Sequence, residues 1–316
     1  MLDYVIASLG ALALATVGLT FLIPVLRRFK FGQFVRAEGP ESHLAKSGTP
    51  TMGGVVFLLT LPAGMLLSGR ISAESLLAVF LAVAMGALGF IDDYIKIKNH
   101  RSEGLTAKQK LFGQLAVAFA FSVALWWLKG GDVWLPMFNR QINIGIFYVP
   151  MAMFVIAATV NGVNFTDGID GLCSGVTFLV AVTFLVLCIA WDMTQLSWFA
   201  GALAGSCFGF LLFNLHPAKV FMGDTGALAL GGAVAALALL TGTELLLPLL
   251  GIIYVVEVAS VILQVNYFRL TGGKRLFRMS PIHHHFELGG WNESLVEMVF
   301  WLTSFVAAMV FLWILL

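Results

Sequence analysis

Asp92 and Asp93 stand side by side where an apolar run ending near Ile91 gives way to Tyr94, Lys96 and Lys98. An ionised aspartate costs roughly 2.5–3.5 kcal/mol at the centre of a membrane-inserted helix and less toward the interface, so paired carboxylates here need a cation or a task. Neighbouring helical side chains point in different directions, so the two need not share one task. A denser polar run follows at NGVNFTDGIDGL, Asn161 to Leu172, which sets Asn164, Thr166, Asp167 and Asp170 among glycines with no Lys or Arg. Asn164, Asp167 and Asp170 recur every third residue and fall near one face if the run is helical. Carboxylates and amide oxygens without local cations suit Mg2+, which takes one or two carboxylates together with substrate phosphates. The spacing and terminal glutamate of a calcium loop are absent. Asp224 lies between glycines in NLHPAKVFMGDTG, Asn214 to Gly226, at the start of another apolar run. Free amides at a helix start attract phosphate, and an aspartate there can hold a bridging metal or cap the helix.

Two further motifs carry weaker signals. In KSGTPTMGG, Lys46 to Gly54, glycines let backbone amides approach a ligand, and Lys46 and Thr51 add a cation and a hydroxyl for phosphate oxygens. Ordinary helix capping explains the same residues equally well. The stretch KRLFR, Lys274 to Arg278, precedes PIHHHFE, Pro281 to Glu287. Three consecutive histidines invite a transition metal, but adjacent side chains of an extended segment point in opposite directions, which makes a zinc site awkward; hydrogen bonds from imidazole to a diphosphate are the preferred reading.

The elements that must position these motifs are membrane helices. The chain is 59% hydrophobic and 11% charged, values that exclude an ordinary soluble globular domain. Ten apolar runs are predicted as spans: Tyr4 to Leu26, Met52 to Ser68, Ser72 to Ile91, Leu111 to Leu128, Val149 to Val163, Cys173 to Trp191, Leu196 to Phe213, Ala227 to Thr241, Leu245 to Tyr267 and Leu295 to Leu316. The fifth and eighth are short and abut motif loops. The expectation is an all-α integral membrane protein with about ten transmembrane helices, one polytopic domain over residues 1–316.

Charge sets the expected orientation. Fifteen Lys and Arg fall in the segments after odd-numbered runs, against Arg70, Lys129 and Arg140 on the other side, so the motif loops are predicted on the cytoplasmic face with both termini extracytoplasmic. A reporter fused after Arg101 should therefore read cytoplasmic and one after Asp132 extracytoplasmic; both on one side would dissolve the common catalytic face. Asp3 precedes the first run and Arg27, Arg28 and Lys30 follow it, the reverse of a cleavable signal, so that run should be retained. Cys173, Cys188 and Cys207 sit in or beside spans without metal spacing and read as packing residues. A net charge of +1 makes no case for nucleic acid.

Taken together, KSGTPTMGG, GFIDDYIKIK, NGVNFTDGIDGL, VFMGDTG and PIHHHFE resemble the bacterial phospho-N-acetylmuramoyl-pentapeptide transferases, or translocase I, within the polyprenyl-phosphate N-acetylhexosamine 1-phosphate transferase superfamily. The likeness runs from about Arg27 to Glu287 in the family's order. It implies transfer from UDP-N-acetylmuramoyl-pentapeptide to undecaprenyl phosphate in the bacterial inner membrane, giving lipid I and UMP with Mg2+ as cofactor, by single displacement. It leaves room for a homodimer. On the matching positions it implies catalytic roles for Asp92, Asp93, Asp224 and His283, and metal contacts from Asp224, Asp170 and Asn164. Substrate contacts are implied for Lys46, Thr51, Lys96, Lys108, Asn164, Asp167, Asp170, Asn214, Phe221, Gln264, His284 and His285. Ala227 departs from the serine expected there. Two readings compete: a sibling N-acetylglucosamine 1-phosphate transferase, which should lack TPTMGG and PIHHHFE, and a secondary transporter, which should carry ionisable residues near the bilayer midplane, whereas Glu257 is the only acid deep within a predicted span.

Overall fold

The computed structural model describes residues 2–28, 48–69, 71–99, 101, 103–138 and 140–316; Lys46 lies outside them. Among the described residues nine helices are long and apolar enough to cross a membrane. They are α1 (Leu2–Arg28), α3 (Ala73–Asn99), α4 (Ala107–Lys129), α5 (Tyr148–Thr166), α6 (Leu172–Ala190), α7 (Thr194–Asn214), α8 (Gly223–Thr241), α10 (Ile252–Leu270) and α12 (Glu293–Leu315). Three shorter helices complete the set: α2 (Val55–Ser68), α9 (Leu247–Leu250) and α11 (Ile282–Glu287). A small antiparallel hairpin, β1 (Asp132–Leu135) and β2 (Arg140–Asn143), links α4 to α5 with Asp132 opposite Asn143.

Of the ten predicted spans, the second falls short of a crossing helix. Helix α2 has 14 residues, which at 1.5 Å per residue reach only about 21 Å of the ~30 Å hydrocarbon layer. Its expected first turn is spent on pairing instead: the amides of Gly53 and Gly54 donate to the carbonyls of Phe221 (2.8 Å) and Met222 (3.0 Å), and Phe221 N–H donates to Pro50 (2.8 Å). Gly54 lies so close to Gly226 that a Cβ would overlap it. The two runs thought short are full 19-residue helices, α5 and α8, because each extends into its neighbouring polar motif.

Helix α8 forms the centre. Every residue from Thr225 to Thr241 is buried, and its small side chains let neighbours approach: Gly232 abuts Leu81 of α3 and Gly231 abuts Val160 of α5. Helix α7 is buried almost as fully, between α1 and α6. Around them α1, α4, α10 and α12 turn apolar side chains such as Phe21, Phe119, Ile262 and Leu302 outward, as lipid-facing helices do. Cys173, Cys188 and Cys207 are buried, unpaired packing residues.

Candidate active site

The C-terminal end of α3 meets the N-terminal end of α8. Asp92, Asp93 and Asp224 each place a carboxylate oxygen within 4.8 Å of the others, and Lys96 sits among them. Lys96 Nζ pairs with Asp224 Oδ2 and with Asp92 Oδ2 (2.6 Å), and lies 3.5 Å from Asp93 Oδ1. Asp224 Oδ1 receives Lys110 Nζ (3.0 Å) from the first turn of α4 and Asn164 Nδ2 (2.6 Å) from the last turn of α5. Four helix ends thus converge on one carboxylate. Two ammonium groups and an amide hold it, and Lys96 remains 28% and Lys110 19% exposed, so both cations can reach a phosphate entering from solvent.

The adjacent aspartates are occupied differently. Asp93 Oδ2 accepts from the amide (2.8 Å) and hydroxyl (2.7 Å) of Thr225, and Oδ1 from the amide of Asp224 (3.2 Å). Since Met222 has no side-chain oxygen to cap α8, Asp93 caps it from another helix. Gly223, with φ of 68°, makes room: a Cβ there would meet Asp93 and the Thr51 hydroxyl. Asp92 instead gives one oxygen to Lys96 and the other to the amide of Leu105 (2.7 Å) in the loop before α4.

The NGVNFTDGIDGL run does not present one face. Helix α5 stops at Thr166, Asp167 takes a non-helical backbone conformation, and Gly171 turns the chain with φ of 72°. Asn164 therefore faces Asp224, while Asp170 joins a second group of potential ligand atoms with His216 and Glu293. Asp170 Oδ2 accepts from His216 Nδ1 and the amide of Ala218, both at 3.0 Å, and its own amide donates to Glu293 Oε1 (2.6 Å). Asn214 stitches the same turn together: its Oδ1 accepts from Gly171 N–H (3.2 Å) and the Ser174 hydroxyl (3.0 Å), and its Nδ2 donates to Val220 O (3.0 Å). Gln264 is committed in the same way, accepting from the amides of Leu276 (3.0 Å) and Phe277 (2.9 Å) and donating to Phe277 O (3.2 Å), which fastens the KRLFR loop to α10. Phe221 and Thr51 are half-buried along the strip where residues 50–54 pair with residues 221–222.

The three histidines have three separate partners. His283, fully buried, gives Nδ1 to Glu257 (3.0 Å); His284 gives Nδ1 to Glu287 (2.8 Å); His285 accepts at Nδ1 from the amide of Arg278 (3.1 Å). None of them enters the ligand groups found among the described residues. Lys108, expected to touch substrate, is exposed on α4, and Lys110 takes the position against Asp224. Two residues along a helix point to nearly opposite sides. The signal that selects Lys110 is Gln114 one turn later, buried and paired with Asn161 of α5 (2.8 Å), which fixes the face of α4 turned inward.

The Glycosyl transferase family 4 profile matches residues 75–242, which carry Asp92, Asp93 and Asp224 and, of the second group, Asp170 and His216 but not Glu293. A phospho-N-acetylmuramoyl-pentapeptide-transferase signature matches residues 46–58, the segment that pairs with Phe221 and Met222. Curated relatives of that name include one from Heliobacterium modesticaldum, 50% identical over 91% of this chain and 90% of its own, and one from Moorella thermoacetica, 48% identical over 98% and 99%. Another from Listeria monocytogenes serotype 4b is 46% identical over 97% of each. The chain belongs to the phospho-N-acetylmuramoyl-pentapeptide-transferase family.

Membership in this family makes it a multi-pass protein of the bacterial inner membrane and an enzyme of the glycosyl-1-phosphate transferase class. The nine long helices agree with it. Ala227, where the family resemblance led us to expect serine, is fully buried in α8 just beyond the Thr225 bonds to Asp93. A methyl packs there without needing a partner.

Proposed function

We propose that the chain joins phospho-N-acetylmuramoyl-pentapeptide, taken from its UDP donor, to undecaprenyl phosphate at the cytoplasmic surface, yielding lipid I and UMP with Mg2+ bound. The observation that carries this reading is Asp224, held by Lys96, Lys110 and Asn164 at the junction of four helix ends. One substrate is a charged soluble nucleotide and the other a lipid-borne phosphate, so they meet only at a membrane surface, and a cluster at helix ends is where such a surface lies. The donor set suits a hard cation: Asp92 and Asp224 offer carboxylate oxygens in one ligand group, and no cysteine belongs to it. Mg2+ held there supplies charge neutralisation at the diphosphate.

The chain's own residues divide the rest of the work. Lys96 and Lys110 carry positive charge at the mouth of the cluster and draw the donor's diphosphate against it. A phosphate monoester has a second pKa near ~6, so the lipid phosphate is already largely dianionic at neutral pH and attacks the sugar-linked phosphorus without a base. Asp93 fits this economy, since both its oxygens are taken by the α8 amides and Thr225. A single displacement then needs no covalent aspartyl intermediate.

The sibling reading is tested by donor choice. With undecaprenyl phosphate and Mg2+, purified protein should release UMP from UDP-N-acetylmuramoyl-pentapeptide and far more slowly, at least about 100-fold, from UDP-N-acetylglucosamine; the reverse preference would reassign the sugar. The histidines give a second check. Because each imidazole faces its own partner, the purified protein should contain no stoichiometric zinc by elemental analysis, and Mg2+ alone should restore a chelated sample. Alanine at His283, His284 and His285 should cost activity unevenly, most at His283, the only one fully buried. One zinc per chain, lost in His284→Ala, would restore the metal reading.

A further inference from the structure

Glu257 is a buried acid that this chemistry does not use, and it lies in the second turn of apolar α10 with no exposed surface. Such a carboxylate is expensive at membrane depth unless it is paired and hydrogen-bonded. Its two oxygens have different partners: Oε2 accepts from the amide of Ile282 (3.0 Å), the first residue of α11, and Oε1 faces His283 Nδ1 (3.0 Å). A carboxylate accepting at both oxygens makes Nδ1 the protonated nitrogen of the ring. The same contact fixes the ring's tilt, because α11 is tied to that carboxylate through its first amide.

The other ring nitrogen is left over. His283 Nε2 is buried without a hydrogen-bond partner, and it abuts Gly168 so closely that a Cβ on that glycine would strike it. Gly168 stands between Asp167 and Asp170 in the polar turn, is itself half-buried, and has no side chain, so Nε2 packs directly against the backbone of that turn. An unpaired buried polar nitrogen is destabilising, which argues for a partner that arrives with the substrate.

We infer that Glu257 is a positioning residue: it fixes His283 so that Nε2, left as a hydrogen-bond acceptor, faces the Asp167–Asp170 turn and accepts from a hydroxyl or N–H of the donor nucleotide. This rests on the transferase reading given above. Glu257 never touches substrate and acts only through the imidazole, as a carboxylate orients a functional histidine elsewhere.

The test is a double-mutant cycle on the full-length protein, measured as kcat and KM for UDP-N-acetylmuramoyl-pentapeptide. Glu257→Gln keeps the shape but puts a donating amide where the charge was. Its kcat should fall about 10–100-fold, the usual scale for losing such an orienting partner. In the His283→Ala background the same change should cost almost nothing more, because the group it acts through is gone. Losses that multiply across the two sites would show that Glu257 merely holds α10 to α11, and would overturn the inference. A wild-type measurement covers the case where Glu257→Gln does not fold. With 15N-labelled histidine, the His283 ring, identified among the six by its loss in His283→Ala, should carry its proton on Nδ1 and shift at Nε2 when UDP and Mg2+ are added. If the His283 ring lacks that tautomer, or ignores UDP, the assignment falls. Absence of any transfer by the wild-type protein would instead strike the transferase reading, and the Nδ1 tautomer would still report on the pairing.

Discussion

Asp224→Asn should reduce transfer by at least about 100-fold, to the background of the assay, and weaken the dependence on Mg2+ over the whole titration. The expectation follows from position: this one carboxylate faces two ammonium groups and an amide. Asparagine fills the same volume but supplies no anionic oxygen for Mg2+, and it leaves Lys96 and Lys110 facing each other with less to separate their charge. Losses of this size are typical when an electrostatic element of an active site is removed. The measurement is initial rate against Mg2+ concentration, with the thermal midpoint recorded beside it to show that the protein remains folded. Wild-type turnover with an unchanged Mg2+ titration would remove Asp224 from the site.

The adjacent aspartates should part company in a different assay. Asp93→Ala takes the acceptor from two amides at the start of α8 and from the Thr225 hydroxyl. Each buried donor left unpaired costs about 1–3 kcal/mol, and α8 is the helix on which the others pack, so the detergent-solubilised protein should unfold several degrees lower and lose activity with its structure. Asp92→Asn can still accept from Leu105 N–H and loses mainly the charge beside Lys96, so its thermal midpoint should stay near wild type while kcat drops. In neither case should a radiolabelled sugar phosphate be trapped on the enzyme. A covalent adduct missing from one of the two variants would replace single displacement by a two-step route, and equal thermal losses would erase the distinction drawn between them.

Much of the fold was legible because long apolar runs admit few alternatives in a chain this short of charge. The second span was overestimated for a reason hydropathy does not carry: Gly53 and Gly54 are neutral, yet their amides are spent on pairing with Phe221 and Met222. The motif residues were legible by type, while their division of labour was not. Equal spacing suggested that Asn164, Asp167 and Asp170 work together; the glycine-rich turn sends Asn164 to Asp224 and Asp170 to His216 and Glu293. Asn214 and Gln264 look like ligand-binding amides in sequence, and each uses its side-chain nitrogen and oxygen on the protein's own loops. His216, Glu293, Lys110 and Glu257 were invisible as site residues because their partners lie far away along the chain. Only the folded contacts between helix ends reveal such pairs.

The central claim is a reaction, and one assay addresses it directly. Purified protein in detergent, given UDP-N-acetylmuramoyl-pentapeptide labelled in the sugar, undecaprenyl phosphate and Mg2+, should move the label into a lipid-extractable product and release one UMP for each lipid I formed, with no turnover when the lipid phosphate is omitted. Folded protein that leaves the label in the aqueous phase under these conditions, or releases UMP without forming the lipid product, would contradict the account.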